Sequence, residues 1–100
     1  MYWVITRDLI GTGDRLGLGF IPSLSGESHG THRFVNLCDP EVKAWVKSLP
    51  VEIRLYDDDG ILYYEGRASE AGFDAQDWAE RNDGVTYTMW RSGSADWAQL

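Results

Sequence analysis

Residues 54–67 read RLYDDDGILYYEGR, with three carboxylates, Asp57, Asp58 and Asp59, side by side before a glycine. Such a run is the raw material of a calcium loop, which needs oxygen ligands at fixed positions and a glutamate at position twelve. With Gly60 as the turn glycine at position six, position one is Leu55 and position twelve is Gly66, so both essential ligands are missing. The flanks alternate like strands, whereas this calcium loop joins two helices. A turn with solvated carboxylates remains. His29, His32 and Cys38 have H-x2-H-x5-C spacing, which offers zinc three of the four ligands it takes; Asp39 or a second molecule would have to complete the set. With Ser28 the same trio has the residue types of a nucleophile and its base, but no Gly-x-Ser-x-Gly turn frames it. Residues 11–19, GTGDRLGLG, supply glycines for a phosphate cradle, yet the dinucleotide pattern needs glycine where Leu16 stands, and no Gly-Lys-Ser/Thr is present. The sequence holds no complete catalytic set, so the expectation is a non-enzymatic protein with neither metal nor cofactor.

The stronger signal is electrostatic. The formal net charge is −7, and all of it lies in the second half, because acids and bases balance over residues 1–50. Between residues 57 and 83, nine acids (Asp57, Asp58, Asp59, Glu65, Glu70, Asp74, Asp77, Glu80 and Asp83) face only Arg67 and Arg81. Such a field repels nucleic acid and anionic membranes and attracts basic protein surfaces. Direct DNA or RNA binding is excluded on the same ground, since phosphate contacts need a basic face. If residues 74–81 form a helix, Asp74, Asp77 and Glu80 come near one side, where like charges cost a few tenths of a kcal/mol per pair. Tyr56, Tyr63 and Tyr64 flank the carboxylates, and whichever of Tyr63 and Tyr64 is exposed would add an aromatic contact for an arginine-rich partner. The plain alternative is an acidic surface that only keeps the chain in solution.

The elements that must position these residues are legible in outline. Residues 2–7 (YWVITR) read as a strand, 8–30 as a long glycine-rich loop with a short extended piece near 18–21, and 31–37 as a second strand. Asp39 is a helix N-cap, Pro40 the first helical residue, and Val42, Trp45, Val46 and Leu49 form one apolar stripe before Pro50 ends the helix near residue 49. VEIRLYD alternates as a half-buried strand, DDDG is its turn and ILYYEGRA its partner. A short helix near 74–81 follows, then a strand VTYTMWR and an edge strand within ADWAQL. The expected fold is a single α+β domain over residues 1–100. It has an antiparallel sheet of about four to six strands, the 40–49 helix on one face and a short helix near 74–81. One cysteine, Cys38, permits no internal disulfide, and Arg7 and Asp8 interrupt the only apolar run near the start, as expected for the reducing cytoplasm.

The hairpin, together with YWVITRDLI before it, resembles a set of small uncharacterised bacterial proteins that share RLxDDDGxxYYEGR after a TRDLI-like strand. That resemblance implies a hairpin built around the aspartates and brings no chemistry with it, and the segment 20–50 is particular to this chain. In composition the chain also resembles phage-encoded inhibitors such as anti-CRISPR proteins, which are short, acidic and of one domain. This second resemblance implies carboxylates standing in for phosphates in the nucleic-acid channel of a partner. The expected function is therefore that of an acidic, DNA-mimic-type interaction protein. The alternative is a small bacterial binding module or assembly subunit that docks through the 8–30 loop and apolar surface, with little dependence on salt.

Overall fold

In a computed structural model, residues 1–22 and 29–100 are described. Nine elements follow in chain order: β1 (Trp3–Asp8), β2 (Leu18–Pro22), β3 (Gly30–Phe34), α1 (Pro40–Ser48), β4 (Val51–Tyr56), β5 (Leu62–Ala68), α2 (Asp74–Asp83), β6 (Tyr87–Ser92) and β7 (Ala98–Gln99). The strands form one antiparallel sheet in the order β3-β2-β1-β5-β4-β6-β7. The fold is α+β, with seven strands rather than four to six. The extra strand is β2, in the middle of the expected 8–30 loop. It pairs with β1 and β3 through a register that sets Gly19 beside Val4 and Arg33. Glycine weakens strand propensity, so only this long-range pairing makes the segment a strand.

Strand alternation gives the sheet two different faces. Val51, Ile53 and Leu55 of β4 join Trp3, Ile5, Leu18, Tyr64, Ala68 and Val85 in one core, closed by Ala75 and Ala79 of α2. Two alanines on its inner side let α2 lie close to the sheet. Gln76 fastens it there, donating to the Thr86 carbonyl at 3.0 Å and accepting from the otherwise buried Thr88 hydroxyl at 2.9 Å. On the opposite face, Val4 and Ile21 pack with Leu49, Trp45 and Val46, so α1 covers the β1–β2 end. The Asp39 carboxylate caps α1, accepting from the N–H groups of Glu41 at 2.8 Å and Val42 at 3.5 Å. The sheet is thus a partition with one helix on each side, where the sequence placed only the first.

The centre of the partition tolerates no side chain at one point. Gly66 of β5 lies between Ile5 of β1 and Ile53 of β4, and a Cβ there would meet the Val4 carbonyl inside contact distance. Gly66→Ala is expected to cost about 3 kcal/mol, at the upper end of overpacking costs, measured by urea denaturation. A loss under about 0.5 kcal/mol would contradict so tight an approach of β1 to β5.

Candidate functional site

Asp57, first of the three hairpin aspartates, builds the turn. Its carboxylate accepts from the N–H groups of Asp59 and Ile61, both at 2.9 Å, and its backbone closes the loop with Ile61 and Gly60. Gly60 supplies the left-handed residue, with φ of 76°. Asp58 and Asp59 are left exposed at the tip. The run of aspartates thus divides into one structural carboxylate and two that face solvent.

The other acids separate by face. Asp74 and Glu70 lie at the N-terminal end of α2, each 3.6 Å from the Met1 ammonium. A step of three residues falls about 60° short of a full turn, so Asp74, Asp77, Glu80 and Asp83 wind along α2. Asp74, Asp77 and Glu80 are exposed, whereas Asp83 turns inward and takes the Arg15 guanidinium at 3.1 Å. The Asp83 end of α2 adjoins the hairpin: Tyr63 feels Asp57, Asp59 and Asp83 together, and burial first, then these carboxylates, hold its phenol above the usual range. Tyr64 is buried, and burial above all, then the Asp83 carboxylate, pushes its phenol up strongly. One acidic strip therefore runs from Glu70 along α2 to the tip of the hairpin. Asp57, Asp58, Asp59, Glu70, Asp74, Asp77, Glu80 and Asp83 belong to it, with Tyr63 at its far end.

Glu65 does not belong there. It follows Tyr64 in β5 and points to the other face, where it meets Arg7 at 3.2 Å and Arg54 at 3.6 Å. That face carries Arg7, Arg54, Arg67 and Arg91 against Glu52 and Glu65. Trp97 lies over two of these arginines, 4.2 Å from the Arg54 guanidinium and 4.7 Å from that of Arg91. The Arg91 hydrogen bond, set against burial and helped by the charges of Arg91, Arg67 and Arg54, holds the Glu52 carboxyl below its usual range. The acidic half of the sequence folds into an acidic side and a net basic side.

Four aromatic side chains far apart in sequence meet beside α2. Trp3, Phe20, His32 and Trp78 wall a cleft of about 330 Å³ whose rim carries Asp74, Asp77 and Arg81. His32 lies 5.0 Å from Phe20 and 6.1 Å from Trp3, centre to centre, and Trp3 lies 6.3 Å from Trp78. This cleft was not foreseen. Trp3 lies in the expected first strand and Phe20 in the short extended piece near 18–21, and only the i, i+4 step from Asp74 to Trp78 places an acid and an aromatic on one side of α2. His29 and Cys38 are exposed, Ser28 lies outside the described residues, and among the described residues no three His, Cys, Asp or Glu side chains gather to hold a metal. Nor, among them, is any helix long and apolar enough to cross a membrane. No protein-family model, curated protein or solved structure matches the chain.

Asp8 sets the loop that brings Arg15 to Trp78 and Asp83. Its carboxylate accepts from the N–H groups of Ile10 at 3.2 Å, Gly11 at 2.9 Å and Arg15 at 3.1 Å. Burial raises the Asp8 pKa, but the bonds from Gly11, Arg15 and Ile10 outweigh it and leave the carboxyl below its usual range. A depressed carboxyl contributes stability that is complete above its unfolded pKa and is lost as pH falls through its folded value. Asp8→Ala is accordingly expected to cost about 1–2 kcal/mol at pH 7, with the gap to wild type narrowing below about pH 4 in urea titrations. A gap of the same size at pH 7 and pH 2.5 would show that the bonds to the carboxylate are not what Asp8 contributes.

Proposed function

We propose that this protein is a non-enzymatic, phage-type inhibitor, anti-CRISPR-like in kind, that occupies a basic, nucleic-acid-binding surface of a partner protein with its acidic strip. The observation that carries the reading is the segregation of charge. Six exposed carboxylates, Asp58, Asp59, Glu70, Asp74, Asp77 and Glu80, lie along α2 and at the hairpin tip, opposed by Arg81 and the Met1 ammonium, while most other arginines lie behind the sheet. Along α2 the acids recur every three residues, one per about 4.5 Å of helix axis. A DNA strand presents one phosphate per about 3.4 Å of its axis, so the three exposed acids Asp74, Asp77 and Glu80 offer a basic groove a comparable spacing over a short run. Asp58, Asp59 and Glu80 are exposed and make no ion pair among the described residues, which leaves them ready to meet cations.

A second reading has its own observation. Leu9, Ile10 and Leu16 are exposed in the loop after β1, and Phe34 is exposed on the edge strand β3, so a module docking through apolar contacts has side chains to use. Salt separates the two, because charge-led association weakens as the Debye length shrinks and apolar docking does not.

The test is capture from lysate at low and high salt, with bound proteins identified by mass spectrometry. Wild type is expected to retain a nucleic-acid-handling protein that elutes as salt rises. A variant carrying Asp58→Lys, Asp59→Lys and Glu80→Lys is expected to lose it while keeping its far-ultraviolet circular dichroism. Asp57 stays untouched because it makes the turn. Capture that survives both high salt and the triple reversal would overturn the acidic-strip reading and favour the apolar one.

A further inference from the structure

We infer that the cleft between α2 and the β1–β3 end of the sheet is a receptor for one arginine side chain of the basic partner. The inference rests on the acidic-strip reading and specifies where along the strip the partner is anchored. At about 330 Å³ the cleft is at the small end of ligand-site volumes, about 300–1,000 Å³. That size suits one side chain better than a cofactor. Its walls are Phe20, His32 and Trp78 over the buried Trp3 as floor, and its rim carries Asp74 and Asp77 about one turn apart on α2.

Flat aromatic walls beside carboxylates select a planar cation. A guanidinium stacks on aromatic rings, sheds its water more readily than an ammonium and grips carboxylates through two parallel hydrogen bonds. The chain already uses this chemistry on itself. Arg15 lies 5.1 Å from the centre of Trp78 while bonding Asp83 at 3.1 Å, and Arg91 lies against both Trp97 and Glu52. In the cleft the same ingredients are assembled, with aromatic walls and two acids at the rim, and the acids there are exposed. Asp74 shares the Met1 ammonium at 3.6 Å, whereas Asp77 makes no ion pair among the described residues. Arg81 is a like-charged side chain lining the cleft, so its removal favours an incoming cation.

The test is a titration of the full chain with Nα-acetyl-arginine amide, followed by the indole N–H resonances of Trp3 and Trp78 in nuclear magnetic resonance. Saturable shifts at both indoles are expected, with weaker binding of the lysine analogue. Asp77→Asn is expected to weaken the arginine compound about tenfold, the loss of one charge-assisted contact, while Arg81→Gln tightens it. Unmoved indoles, or an affinity indifferent to Asp77→Asn, would overturn the inference. So would loss of arginine binding in the Asp58, Asp59 and Glu80 reversal variant, since that would trace the effect to the general field. The two readings fail separately. Salt-sensitive capture with unmoved indoles leaves the strip standing and removes the cleft; arginine binding without any capture keeps the cleft and removes the strip.

Discussion

The register of β1, β5, β4 and β6 is the constraint on which the rest of the molecule depends. Side chains alternate across a strand, so a shift of one residue in any of these pairings would exchange the two faces. Gly66 marks how closely the pairing is held, because β1 and β5 leave no volume for a Cβ between them. With that register set, Val51, Ile53 and Leu55 point to α2, and Glu52 and Arg54 point away from it. Each helix then has one apolar patch to cover, α2 with small residues and α1 with Trp45 and Val46.

Charge segregation is a consequence of the same alternation. Glu65 belongs to the densest acidic stretch of the chain, yet it lies among arginines because Glu65 and Arg67 of β5 face away from α2. Exposed ion pairs of this kind contribute little to stability, about 0–1 kcal/mol each, so the arginine–glutamate lattice is no substitute for the core. Its effect is on the field. The basic side keeps its own carboxylates occupied, and the unpaired acids accumulate on α2 and at the hairpin tip. Like charges three residues apart on α2 oppose folding slightly, and they add to the negative potential of that side.

What the sequence revealed followed the range of the interactions involved. The 40–49 helix was readable because its determinants are local: the Asp39 cap, Pro40, the stripe from Val42 to Leu49 and the stop at Pro50 all lie within a dozen residues. The β4 alternation and the DDDG turn were local in the same way, and Asp57 carries the turn chemistry that its neighbours suggested. The extended piece near 18–21 was legible, but not that it is a full strand, because GLGF gains its pairing from β1 and β3, not from its own residues. Cys38, a candidate zinc ligand by its spacing, is exposed in the turn before α1. The aromatic cleft was the least legible part, since Trp3 and Trp78 lie at opposite ends of the chain and meet only after the sheet has formed.

On the proposed function, the α2 side, not the arginine side, meets the partner. Hydrogen–deuterium exchange on the chain alone and in the complex captured from lysate tests this most directly, because it reports contact without altering a residue. Added protection is expected over residues 70–83 and at the hairpin tip, with residues 40–48 and 95–99 unchanged. Protection of 40–48 and 95–99, with α2 exchanging as in the isolated chain, would place the partner on the arginine side and contradict it.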